Sequence, residues 1–144
     1  MRIYQVATPD NLSDSVREKL DYLDSKTFEG EPPYKKDGCY WWLVYDDKGE
    51  AVGFAGLKVL DGLNKGLAFL CRAGVLPKAS GHKLQRRLIR ARIRKARKLG
   101  VKEVITYTSM WNFKSAVNIL KSGLRFYKPE NLWAGHVLYF NLPL

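Results

Sequence analysis

An alternating run opens the chain: Ile3, Gln5 and Ala7 interleave with Tyr4 and Val6, which predicts a short strand ending before Pro9. The period then changes. Leu12, Val16, Leu20 and Leu23 recur at helical spacing with Asp14 and Glu18 in the early turns, so a helix over 12–27 is expected, capped by Asn11 or Ser13. Residues 29–38 hold two prolines and two glycines and suit no regular element; they form the one long loop and a candidate substrate lid. Tyr40–Tyr45 and Ala51–Leu60 are aromatic or β-branched runs divided by Asp46-Asp47-Lys48-Gly49, a hairpin signal, and a second turn over 61–66 leads to a third run, Leu67–Leu76, closed by Pro77. A long helix follows Gly81, with Leu84, Leu88, Ile89, Ile93, Ala96 and Leu99 on its apolar face and Gly100 at its C-terminal cap. Val101–Thr108 alternates as a strand, Asn112–Ser122 is a short helix, and Leu124–Tyr127 and Val137–Leu142 close as strands. No linker divides the chain, so 1–144 is expected to be a single domain.

Charge sharpens this picture. The 25 Lys and Arg exceed the 14 Asp and Glu by 11, and residues 78–102 contain 11 basic side chains and no acid, so the excess lies wholly in that segment. Arg86, Arg90, Arg94 and Arg97 line one face of its helix. No apolar run approaches the length of a membrane span, and Cys39 and Cys71 match no metal-ligand or CxxC spacing, so two buried thiols in a reduced, cytoplasmic protein without a metal are expected. Trp41 and Trp42 are adjacent on a strand and face opposite ways, so only one of them can line a pocket.

A strand, a tight loop and then a helix N-terminus form an anion-binding arrangement, because unpaired N–H groups and the positive helix end converge there. The segment Val75-Leu76-Pro77-Lys78-Ala79-Ser80-Gly81-His82-Lys83-Leu84-Gln85-Arg86-Arg87-Leu88-Ile89 resembles motif A of the GCN5-related N-acetyltransferase (GNAT) superfamily, V-x-P-x-x-R-G-x-G-x-G-x-x-L-[LI]. Val75, Pro77, Gly81, Leu88 and Ile89 stand in register, whereas Ser80, Lys83 and Gln85 replace the usual Arg or Gln, the second Gly, and the third Gly or Ala. Asn112, Ser115, Leu120 and Gly123 are similarly spaced to motif B, with Leu124 in place of Phe.

The resemblance implies an α+β (α/β three-layer) fold, a mixed and mostly antiparallel sheet flanked by helices, and acetyl-CoA as cofactor. It implies coenzyme contacts at Val75, Leu76, Gly81, His82, Lys83, Leu84, Gln85 and Arg86, and at Asn112 and Ser115. The superfamily's usual catalytic Glu and Tyr are both missing: no acid lies between Asp61 and Glu103, and Ile119 occupies the Tyr position. A backbone N–H near Val75 is left as oxyanion donor, and Ser109, Tyr107 and Tyr127 as candidate acids for the leaving thiolate. The base falls to Glu29 or Glu31 in the long loop, or to water, with Tyr34 a contact for the amine-bearing acceptor. The leading reading is thus an acetyl-CoA-dependent N-acetyltransferase working by direct transfer, as monomer or homodimer. The alternative is a module of the same fold that binds tRNA or DNA through Arg86, Arg90, Arg94 and Arg97.

Overall fold

The computed structural model describes every residue except His82, and only the backbone of Leu63. Its elements are β1 (Arg2–Ala7), α1 (Asp14–Thr27), β2 (Tyr40–Tyr45), β3 (Ala51–Val59), β4 (Leu67–Val75), α2 (Leu84–Lys98), β5 (Glu103–Ser109), α3 (Phe113–Lys121), β6 (Arg125–Phe126) and β7 (Val137–Pro143). The seven strands form one sheet in the order β1-β2-β3-β4-β5-β7-β6. β4 and β5 run parallel, with Leu67 opposite Glu103 and Phe69 opposite Ile105, whereas β1·β2, β2·β3, β5·β7 and β6·β7 are antiparallel. This is the mixed, mostly antiparallel sheet with helices that the family resemblance implied.

Local chemistry fixes most boundaries. Of the two cap candidates for α1, Ser13 serves: its Oγ accepts the Val16 N–H at 3.2 Å, while the Asn11 backbone bonds back to Thr8. The β2–β3 hairpin closes because Asp46 Oδ1 accepts the N–H groups of both Lys48 and Glu50 at 2.9 Å. α2 ends in a Schellman motif: Gly100, at φ +75, donates to the Arg97 carbonyl and Val101 donates to the Ala96 carbonyl, each at 3.1 Å. That cap consumes Val101, which is why β5 starts two residues later than its apolar pattern suggests.

The chain forms two compact units, 1–58 with 71–88 and 59–70 with 89–144. In the first, Leu20 and Leu23 of α1 and Trp41, Leu43, Val52, Phe54 and Leu57 of the sheet make the core. Trp41 and Trp42 are both buried, so neither lines a surface pocket; Trp41 packs 6.1 Å from Phe54 and donates its indole N–H to the Lys36 carbonyl at 2.7 Å. Both thiols are buried, and a hydrogen bond with Cys71 draws the Cys39 pKa down against the effect of burial.

In the second unit Ile89, Ile93 and Ala96 of α2 are buried, as are Leu70, Val104, Ile119, Leu124 and Phe140. Leu99, expected on the apolar face, is 39% exposed because the chain has begun to turn out of the helix there. Arg92 is buried instead, at 3% exposure, four residues after Leu88 and therefore on the same stripe. No helix among the described residues is long and apolar enough to cross a membrane.

Candidate active site

In the first unit, β4 ends at Val75 and the Leu76 N–H bonds the Val52 carbonyl at 2.8 Å, tying the start of the next loop to β3. A single 3₁₀ turn, Pro77–Ala79, follows, with Ala79 buried and the Ser80 Oγ donating to the Pro77 carbonyl at 2.9 Å. The backbone is then left-handed twice: Gly81 has φ +88 and Lys83 φ +54. A Cβ at Gly81 would meet nothing within 4 Å, so the space beside that turn is open. The Lys83 carbonyl accepts the Arg87 N–H at 3.1 Å and so begins the hydrogen-bond ladder of α2.

The replacement of glycine at position 83 therefore keeps the glycine-like backbone and adds an exposed ammonium, at a strain of about 1–2 kcal/mol. The amides of Leu84 and Gln85 open α2, and its first turn carries no acid, so its own side chains do not neutralise the positive helix end. Leu84 is buried and offers only its backbone; Gln85 and Arg86, like Val75 and Leu76, are half-buried. His82 lies outside the described residues. Lys78 is turned elsewhere, to an ion pair with Glu50 that raises the pKa of Lys78.

The loop over 29–38 is irregular, as its composition predicted, but it is not a free lid. Lys36, with a side chain only 1% exposed, donates to Asp24 Oδ2 and to the Tyr34 carbonyl, both at 2.7 Å, and lies 3.1 Å from Asp21. Asp24 also accepts the Tyr34 N–H at 3.0 Å and Arg72 of β4 at 2.9 Å. Burial alone would push the Asp24 carboxyl up; the hydrogen bonds from Lys36, Tyr34 and Arg72, with the Lys36 charge, outweigh it and hold the pKa below the ordinary value. The Arg72 guanidinium also reaches the Pro32 carbonyl at 3.0 Å and lies over the rings of Phe28 and Tyr34, at 4.4 and 5.7 Å. Tyr34 is half-buried and edge-on to Trp41, whereas Glu29 and Glu31 are exposed. Asp24, Lys36 and Arg72 had not been singled out in the sequence. The available signal was Asp24 itself, an acid on the stripe that carries Leu20 and Leu23.

In the second unit, Asn112 caps α3: its Oδ1 accepts the Ser115 N–H at 3.1 Å, so the motif B spacing here builds a helix start. Ser109 is exposed and accepts the Trp111 N–H at 3.3 Å. Tyr107 and Ser109 stand two apart on β5, Tyr107 is paired with Tyr139 of β7, and Tyr127 lies 6.5 Å from Tyr139, so the three candidate acids gather around one strand pair. Phe69 stacks on Tyr107 at 5.7 Å and Trp133 meets both rings edge-on. The Tyr139 hydroxyl, not foreseen, accepts the N–H groups of Trp133 and Ala134 and donates to the Ala134 carbonyl. Burial, then Glu103 and Tyr139, pushes the Tyr127 pKa up, so its hydroxyl keeps its proton. Ile119 is buried and supplies no polar group.

Solved structures share this architecture. The chain superposes with a TM-score of 0.74 on the ribosomal-protein-S18-alanine N-acetyltransferase of Escherichia coli, at 15% identity over 99% of this chain and 92% of that one. The ribosomal-protein-alanine N-acetyltransferase of Brucella melitensis gives 0.72 at 17% identity with both chains covered in full. A phosphinothricin acetyltransferase from Sinorhizobium meliloti, solved in complex with AcCoA, gives 0.73 at 15% identity over 99% of this chain and 88% of that one. The fold is thus the acyl-CoA N-acyltransferase fold. No curated protein matches the sequence. The model of the acetyltransferase (GNAT) family matches residues 2–128, and the chain belongs to that family, which places it among the N-acetyltransferases.

Proposed function

We propose that the protein transfers an acetyl group from acetyl-coenzyme A directly to an amine of its acceptor. The observation that carries this reading is the pair of left-handed residues, Gly81 and Lys83, leading into an acid-free helix start. When bound there, the coenzyme supplies an activated thioester. The amides of Leu84 and Gln85 and the Lys83 ammonium would hold its pyrophosphate by charge-assisted contacts. In the first unit the backbone N–H of Val75 is the candidate oxyanion donor, and in the second Tyr127, whose hydroxyl keeps its proton, is a candidate proton donor to the thiolate. Tyr107 and Ser109 stand as the other candidates for that proton, and the exposed side chain of Asn112 as a further coenzyme contact.

Asp24 is not the base, since both of its oxygens are engaged by Lys36, Tyr34 and Arg72. The proton of the acceptor amine passes to water or to an exposed carboxylate, Glu29 or Glu31. Binding is tested by thermal denaturation with acetyl-CoA. At a hundredfold excess over Kd a gain of about 2.7 kcal/mol is expected, and no shift at millimolar cofactor would overturn the reading. Mass-spectrometric detection of acetyl transfer to amine libraries then identifies the acceptor.

A further inference from the structure

Coenzyme binding at the start of α2 leaves the far end of the same helix unexplained. Arg90, Arg94, Arg97 and Lys98 are all exposed. At 100° per residue they fall within an arc of about 100°, and they span about 12 Å along the axis. Among the described residues none of the four joins an ion pair, and residues 78–102 contain no acid to partner them. Other basic residues of this segment are occupied: Lys78 pairs with Glu50, Arg87 donates to the Met1 carbonyl at 3.1 Å, and Arg92 is buried.

This face carries a cost. Arg90–Arg94, Arg94–Arg97 and Arg94–Lys98 are like-charge pairs at helical neighbour spacing, each unfavourable by about 0.2–0.5 kcal/mol in an isolated helix. The helix dipole favours cations only in the last turn, which accounts for Arg97 and Lys98 but not for Arg90 and Arg94. An ordinary solvated face would intersperse Glu, and this one has none.

We propose that this face docks the phosphate backbone of double-stranded DNA. Three of the four cations are arginines, whose planar donor forks match phosphate oxygens. A protein partner would need an apolar centre, and the arc offers no exposed aliphatic or aromatic side chain. The 12 Å span equals about the width of the B-form major groove, so the two ends of the row reach both phosphate rims. Contacts confined to phosphates make the binding independent of sequence.

The test is fluorescence anisotropy with the full chain and a labelled 20-base-pair DNA duplex, without coenzyme. Four phosphate contacts predict a slope of log K against log salt near −3.6, or about a hundredfold loss of affinity between 50 and 200 mM salt. In the double variant R94A/R97A the slope should fall to about −2, and in K114A, an exposed lysine of α3, it should stay unchanged. Circular dichroism verifies that the variants fold, and the wild-type salt slope decides the matter without them. No binding at 50 mM salt, a slope unaltered in R94A/R97A, or equal displacement by polyglutamate, which would indicate an acidic protein partner, would each overturn the proposal.

Discussion

Lys83 holds a conformation that nearly every other side chain avoids, and this yields two effects of opposite sign. Replacing it with glycine removes the left-handed strain of about 1–2 kcal/mol but adds freedom to the unfolded chain, for a net stabilisation of about 0.5–1 kcal/mol in urea titrations. The same K83G variant should bind coenzyme A more weakly by calorimetry, since the ammonium is lost. Tighter binding in K83G would show that the side chain obstructs the pyrophosphate. Asp24 gives the other residue-scale expectation. D24N removes the buried anion that Lys36 and Arg72 share, leaving Lys36 only the half-exposed Asp21, and should cost about 3–5 kcal/mol in chemical denaturation. The glycine replacement at position 83 was legible in the sequence because motif A fixes its register. The ion cluster was not, because Asp24 and Arg72 are 48 residues apart and nothing local announces that they meet.

At the scale of elements, the spacing of apolar residues sufficed for all three helices and seven strands, because period and capping are local properties. Errors fell where a cap or a neighbour intervened, as at Val101, spent on closing α2, and at Leu99, turned outward by the same closure. Loop 29–38 is irregular, as its composition predicts, but composition does not reveal that Lys36 ties it to Asp24 of α1. Motif B serves as a capping device: the Asn112 side chain closes the start of α3. N112A should destabilise the chain by about 1 kcal/mol, a fall of about 2–4 °C in Tm, while N112S, which can still cap, restores most of the loss. If N112S restores stability but not coenzyme affinity, the Asn112 amide has a separate role in binding.

For the molecule as a whole, the charge excess of 11 sits in one segment, while aspartates are held below their ordinary value elsewhere: Asp37 by Arg17, Asp46 by backbone N–H groups, and Asp24 in its buried cluster. Because the folded pKa of Asp24 is lowered, the stability its pairs contribute is complete above about pH 4, the value of an unfolded aspartate, and drains away as pH falls through the lower folded pKa. Stability curves should therefore drop below pH 4 in the wild type and lose that component in D24N. The buried ion cluster also bears on chemistry the molecule would perform on itself. Thioesters acylate lysines whose Nζ they can reach, but the Lys36 Nζ is buried, bonded to Asp24 and to the Tyr34 carbonyl, with Asp21 3.1 Å away. Its neighbour Lys35 is exposed, so adventitious acylation should mark position 35 and spare position 36 for as long as the fold holds.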